Sequence, residues 1–214
     1  MNGLGVDLLQ AEGTLVQRSV SPWEHFSGKG MHFDVQSYDF EGCANVSLMQ
    51  MKAMGGLMRM DSLILTPYGK DAPLFSFDAI HVLWRHVVYV ELFDTQLAPI
   101  DLSEMEKVKA AYNDLPQAVL KPHWYDDLHL SPSCFKQANG KKLRMLQMAH
   151  EMLKAYLPVL KSAPVCDKAE KTAKNSAYVE GLISNGGPAV DTLRNILGDE
   201  PAKELVRNYI FRTK

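Results

Sequence analysis

One acidic residue lies where acids are rare, in the middle of an apolar strand. Residues from Leu74 to Trp84 alternate as a β-strand does, and Asp78 is flanked there by Phe77 and Ala79. Aspartate is disfavoured in strands and is costly to bury without a partner. A carboxyl group in an apolar environment has a raised pKa and can donate a proton near neutral pH. Asp78 is therefore a candidate catalytic acid, and the alternative is a structural carboxylate bonded to a neighbouring group.

A second set of polar residues lies on a predicted β-hairpin that spans Leu48 to Leu65. Gly55 and Gly56 form a two-residue turn signal between two alternating runs. The alternation puts methionines on one face and a polar set on the other. The polar set is Gln50, Lys52, Arg59 and Asp61. These residues are candidates for contacting a ligand, although the same pattern is typical of a strand face that meets solvent.

The elements that must position these residues divide the chain near residue 100. The first part alternates as strands do, and Val87–Phe93 adds a run rich in β-branched and aromatic residues. Helical periodicity and helix-start signals dominate afterwards. The predicted helices begin at Ser103, cover Lys141–Leu160, begin at Asp167, cover Pro188–Leu197, and run from Asp199 to about Phe211. Strands followed by helices predict an α+β fold with a mainly antiparallel sheet.

Length and composition limit the class of protein. The chain has 214 residues, 46% of them hydrophobic, which fits one domain over residues 1–214. A formal net charge of -2 gives no reason to expect nucleic acid or an anionic membrane as a partner. Three widely spaced cysteines and seven histidines lack the spacing of a disulfide framework or a metal site. Without a predicted membrane span or signal peptide, a cytoplasmic protein is expected.

Four segments, taken in order, resemble the ferredoxin-dependent bilin reductases. They are a strand–loop–strand signature over Pro67–Asp78, an apolar strand ending in Asp and Gln over Tyr89–Gln96, a Ser-Pro element over Leu130–Phe135, and a C-terminal pattern from Tyr178 through Leu193 and Gly198 to Tyr209–Phe211. The resemblance extends from about residue 45 to residue 212 and rests on the shared order and spacing of these segments.

The resemblance implies a three-layer α/β/α sandwich in which a linear tetrapyrrole lies between the sheet and the C-terminal helices. It implies reduction of that biliverdin-like bilin by single electrons from reduced ferredoxin or flavodoxin, with no flavin, metal or nicotinamide in the enzyme. Two alternatives stay open. One is a non-catalytic tetrapyrrole carrier on the same fold, and the other is an enzyme similar to red chlorophyll catabolite reductase, a relative with a related substrate.

The resemblance also assigns expected roles to single residues. Asp78 matches the family's catalytic Asp, and Asp61 falls where the family has His or Asn on the preceding strand, so both are expected at the ligand as catalytic residues. Ser76 replaces the usual Gly and is a candidate substrate contact. Asn185, near a motif that commonly carries Lys or Asp, is another. Because residues 184–187 offer neither a carboxylate nor an ammonium group, the position of reduction stays open.

The helical half of the chain is locally basic. Its cations are Lys141, Lys142, Arg144, Lys154, Lys161, Lys168, Lys171 and Lys174. They form either a solvated face or a docking surface for an acidic ferredoxin.

Overall fold

A computed structural model of the protein describes residues 2–214. The strands in this range are β1 (Leu15–Arg18), β2 (His25–Gly28), β3 (Met31–Phe40), β4 (Ala44–Ala53), β5 (Met58–Pro67), β6 (Leu74–Val82), β7 (Arg85–Phe93) and β8 (Cys134–Asn139). The helices are α1 (Asn2–Glu12), α2 (Ser103–Ala111), α3 (Lys142–Ser162), α4 (Lys168–Asn185), α5 (Pro188–Leu197) and α6 (Asp199–Glu204), which continues into a π-helical turn, Leu205–Ile210. No helix in the described range is both long and apolar enough to cross a membrane.

The strands form one antiparallel sheet, as the sequence predicts. Its order is β1-β3-β4-β5-β6-β7-β8, and β2 pairs with the first part of β3. The predicted hairpin register is confirmed, because Gln50 faces Asp61 and Lys52 faces Arg59. The turn is longer than predicted, since strand pairing ends at Ala53 and Met58 and leaves residues 54–57 to connect the strands.

Helices cover the two faces of the sheet, so the predicted three-layer sandwich is confirmed. On the face that we call the α3 face, α1 and α3 bury the sheet side chains that include Leu63 and Phe75. The Tyr156 ring of α3 stacks on Phe75 at 4.8 Å, and its hydroxyl donates to the carbonyl of Pro73 at 2.7 Å. On the opposite α4 face, α4, α5 and the π-helical turn enclose a separate apolar core that includes Met49. Each face therefore has its own core.

Lys171 fastens α4 to the sheet, which corrects its expected place among the exposed cations. Its side chain is 0% exposed, and its ammonium donates to the carbonyls of Ala72 at 2.7 Å and Thr95 at 2.6 Å. The carboxylate of Asp71 lies 3.4 Å away. Burial lowers the pKa of Lys171, and the Asp71 charge opposes that effect. Because Lys171 is enclosed, it cannot belong to a docking surface.

Other members of the predicted basic cluster are also separated from one another. Arg144 forms an ion pair with Asp114 at 3.0 Å, and Lys161 pairs with Glu12 at 3.4 Å. The remaining lysines divide between α3 on one face of the sheet and α4 on the other. Of the two alternatives for the cluster, the one in which all eight cations form a single docking surface is therefore wrong.

Candidate active site

The strand register divides the predicted site residues between the two faces of the sheet. Asp78 faces Ser62 on β5 and Tyr89 on β7, which places it on the α4 face. Ser76, two residues earlier, lies on that face too. Asp61 faces Ala79 instead, so it lies on the α3 face. Neighbouring residues of a strand point to opposite faces, and a one-residue offset is enough to separate two side chains by the whole sheet.

Two expectations about the site are therefore corrected. Asp61 cannot share a ligand with Asp78, because the sheet lies between them. Gln50, Lys52 and Arg59 accompany Asp61 on the α3 face, and the amide of Gln50 donates to the Asp61 carboxylate at 2.9 Å. Asp78 and Ser76 are the predicted strand residues that the structure brings together.

The carboxyl group of Asp78 is arranged to hold a proton near neutral pH. Desolvation by burial is the largest cause that raises its pKa, the negative charge of Glu91 is the second, and together they bring it from 3.8 to about 7. A hydrogen bond from the Ser62 hydroxyl opposes both by stabilising the carboxylate. A group with a pKa near the working pH is both a competent donor and easily reprotonated. Asp78 can therefore act as a general acid.

A second acid–base pair lies beside Asp78. Glu91 faces Ser76, so it occupies the next row of side chains, about 7 Å along the strands from the row of Asp78. His129 Nε2 lies 3.0 Å from Glu91 Oε1, and the two side chains are only 12% and 13% exposed. The sequence did not single out either residue. Alternation puts Glu91 on the face of Asp78, but His129 comes from a loop and no local pattern brings it there.

Asp78, Glu91 and His129 together form what we call the acid–base group. Aromatic side chains enclose one end of it. Phe93 at the end of β7 contacts the rings of Tyr178, His129 and Tyr125, with ring centroids 4.4, 5.0 and 5.9 Å away. Tyr178 is buried on α4, and burial followed by the charge of Glu91 holds its pKa well above its ordinary value. These phenols therefore stay protonated and can donate hydrogen bonds to a bound acceptor.

The loop before His129 is held against the end of α4. The indole Nε1 of Trp124 donates to the carbonyl of Gly186 at 2.9 Å. The Trp124 ring also lies directly on Gly181, where a Cβ atom would come within 2.2 Å of it. Asn185, the last residue of α4, is exposed beside this contact and not on the sheet. Glycine at position 181 thus allows the loop to pack close to the helix.

The other end of the acid–base group opens onto an apolar shelf. On the α4 face, Met58 faces Val82, and Met60 faces Ile80, which in turn faces Val87. All five of these side chains are only partly buried. The contacts of α4 with Pro67, Ala72 and Thr95 fix this helix at the opposite ends of the strands. The shelf therefore offers a flat, apolar surface, partly open to solvent, immediately beside Asp78.

Comparison with known proteins shows a strong structural likeness. No family model matches the chain. Nonribosomal peptide synthetase 7 of Aspergillus fumigatus is 28% identical over 120 residues, a stretch that is 55% of this chain and 4% of that protein. The chain thus spans a small fraction of the curated relative that it matches. A crystal structure of phytochromobilin synthase from tomato, in complex with biliverdin, superposes with a TM-score of 0.78. The alignment covers 99% of this chain and 82% of that one, at 12% identity.

At such low identity the likeness establishes the fold and not the activity. The superposition extends over nearly the whole chain, and so includes the antiparallel sheet and the helices on both of its faces. This chain therefore has the α/β/α sandwich fold of phytochromobilin synthase.

Proposed function

We propose that the protein reduces a linear tetrapyrrole of the biliverdin type and that Asp78 supplies a proton to it. The observation that carries the proposal is a desolvated carboxyl group with a pKa of about 7 on a sheet face whose packed core is apolar and aromatic. The likeness to a protein whose crystal structure contains biliverdin supports the choice of ligand. A tetrapyrrole is flat and largely apolar, so the methionine-lined shelf beside Asp78 suits it.

The proposed reaction adds two electrons and two protons to one double bond of the bilin. Reduced ferredoxin or flavodoxin supplies the electrons one at a time, and each transfer oxidises the donor by one electron. Asp78 donates the first proton to the bilin radical and is reprotonated from solvent through the Glu91–His129 pair, which lies one row away. After the second electron arrives, the reprotonated Asp78 donates the second proton. The bilin is the substrate, and Asp78, Glu91 and His129 hold and move protons.

We place the docking site of the acidic electron donor at the turn end of the sheet. The turns of residues 28–32, 52–59, 81–86 and 137–142 contain no Asp or Glu. Lys52, Arg85 and Lys141 are exposed there. The apolar shelf opens toward the same end, so a donor bound there would lie close to the bilin. Complementary charge mainly accelerates encounter, which makes this part of the proposal testable by salt dependence.

Replacing Asp78 tests the proposed proton donor. Asp78→Asn keeps the shape of the side chain but removes its titrating proton, so the variant should bind bilin and accept one electron. It should then stall at a radical that electron paramagnetic resonance detects, and turnover should fall about 10²–10⁴-fold. Asp94→Asn is the matched control, because Asp94 is an exposed carboxylate just past β7. Wild-type turnover to the same product by Asp78→Asn would exclude Asp78 as the acid.

A non-catalytic tetrapyrrole carrier is the second candidate. It is favoured by the exposed end of α4, where Ser184 and Asn185 offer no charged group. Both candidates predict that biliverdin changes its absorption spectrum on binding. Anaerobic addition of reduced ferredoxin separates them, since the enzyme converts the bilin and the carrier leaves it unchanged.

A further inference from the structure

The predicted site residues that lie away from Asp78 line a cavity of their own. It has a volume of about 330 Å³ and lies on the α3 face, between strands β5–β7 and the start of α3. Its polar lining consists of Arg59, Asp61, His81, His86 and Lys142. Its apolar lining includes Ala79, Val88, Met145 and Leu146. The whole sheet separates it from the shelf beside Asp78.

The charges around this cavity favour an anion. Arg59 and Lys142 contribute two cations, and Asp61 is the one carboxylate among the lining residues. The Asp61 carboxylate already accepts a hydrogen bond from Gln50, which lowers its demand for further donors. Lys142 is also the first residue of α3, and the side chain of the preceding Lys141 does not cap the helix. The positive end of the α3 dipole therefore adds to the same potential.

The two histidines at the cavity form an unusual pair. Their Nδ1 atoms lie 3.1 Å apart, and their ring centroids are 4.5 Å apart. One ring can donate to the other only while the acceptor Nδ1 carries no proton. Burial, the neighbouring His81 and the charge of Lys142 all lower the pKa of His86. An empty cavity thus disfavours a proton on His86.

Three other charged groups near the histidines do not supply a free negative charge. Lys52 lies beside Arg59 on β4 and adds positive charge. Lys136 on β8 is buried, and its ammonium donates away from the cavity to the carbonyl of Leu115 at 3.1 Å. Asp61 on β5 is the nearby carboxylate already described. A bound anion would supply the negative charge that a protonated histidine pair requires.

We propose that this cavity binds a small organic anion through its phosphate or carboxylate group, and that binding is coupled to protonation of the His81–His86 pair. The guanidinium of Arg59, the ammonium of Lys142 and one imidazolium are the donors for the anionic head. Val88, Met145 and Leu146 contact the apolar part of the ligand. Two imidazole nitrogens this close could also chelate a divalent metal, but Arg59 and Lys142 repel a cation at this position.

Sulfate is a suitable probe, because its charge stays fixed over the range in which histidine titrates. Adding sulfate to the wild-type protein at constant pH should shift the ring signals of His81 and His86 in nuclear magnetic resonance spectra. The affinity should be about tenfold higher near pH 6 than near pH 8. His81→Gln should abolish that pH dependence, and Arg59→Gln should weaken binding about tenfold at either pH. Methyl phosphate and acetate, titrated separately, decide which head group the cavity prefers.

The control variant is Lys154→Gln, which removes the same charge from the same helix as Lys142→Gln but lies outside the cavity. Lys142→Gln should weaken sulfate binding, and Lys154→Gln should leave it unchanged. Three results would overturn the proposal: no saturable shift of the histidine signals in the wild-type protein, equal weakening by the two lysine variants, or tight binding of Zn²⁺ without binding of sulfate. The first result needs no variant, so it does not depend on the folding of any substituted protein.

Discussion

At the scale of single residues, the structure shows how one carboxylate can differ from its neighbours. Asp61 and Asp78 both lie on central strands, but Asp61 is held by Gln50 while Asp78 is desolvated beside Glu91. The sequence predicted the unusual position of Asp78 because Asp is rare between apolar strand residues. It could not predict Glu91 and His129 as partners, since they are 38 positions apart and the irregular segments on either side of α2 decide where His129 lies.

The raised pKa of Asp78 makes a prediction about folding stability. The folded state retains a proton that the unfolded state loses near 3.8, so stability falls as pH rises from about 4 through about 7. Asp78→Asn removes this loss. The variant should therefore gain free energy of unfolding relative to wild type at about pH 8, on the order of 4 kcal/mol, and the gain should vanish near pH 4. Urea denaturation at both pH values measures it, and an equal gain at both would contradict the pKa.

Removing the charge of Glu91 should change the pH profile of catalysis. Glu91 is the second cause of the raised pKa of Asp78, so Glu91→Gln should lower that pKa. Loss of the protonated acid would then begin at lower pH, and the alkaline limb of the turnover profile should shift to the acid side. Glu106→Gln serves as a comparison, because Glu106 lies on α2, away from the α4 face. A turnover profile that Glu91→Gln leaves unchanged would show that the pKa of Asp78 does not set the alkaline limb.

At the scale of elements, alternation was the most informative sequence pattern. It gave the correct β4–β5 register, because methionine and polar residues alternate over Met49–Lys52 and again over Met58–Asp61. Alternation could not predict the register between β5 and β6. That register depends on the loop of residues 68–73 and not on either strand alone. The observed register puts Ser62, rather than Asp61, opposite Asp78. One residue of register thus decided which predicted residues share a site.

The contact between α4 and the Trp124 loop can be tested at Gly181. Replacing a helical glycine by alanine ordinarily stabilises a protein by about 0.5–1 kcal/mol. Here a Cβ atom would lie 2.2 Å from the Trp124 ring, so Gly181→Ala should instead destabilise the protein by about 1–3 kcal/mol. Trp124 fluorescence should change at the same time. Ser184→Ala, at an exposed position of the same helix, should do neither. A stabilising Gly181→Ala would contradict the packing.

At the scale of the whole molecule, the net charge of -2 conceals an uneven distribution. The turn end of the sheet carries cations without acids, while the acid–base group lies deeper on the α4 face. The sequence drew attention to the helical half, because many of its cations lie close together along the chain. The turn end escaped notice, since its cations come from four separate turns that only the folded sheet brings together.

The salt dependence of electron delivery should distinguish the two basic regions. Lys52→Glu combined with Arg85→Glu should slow reduction by ferredoxin, more at low ionic strength than at high, because salt screens exposed charges. Bilin affinity should change little. Lys168→Glu combined with Lys174→Glu reverses the same number of charges on α4 and should have a smaller effect. Equal slowing by both pairs would show that net charge, and not the turn end, governs docking.

The enclosure of Lys171 has a consequence for covalent labelling of the protein. An amine-acylating reagent should modify the exposed lysines within minutes but reach Lys171 only when α4 leaves the carbonyls of Ala72 and Thr95. Peptide mass spectrometry can follow the acylation of Lys171 over time. The rate of that acylation therefore measures how often α4 opens away from the sheet and the acid–base group. Any molecule that fills the space between α4 and the sheet should slow that one modification and leave the other lysines unaffected.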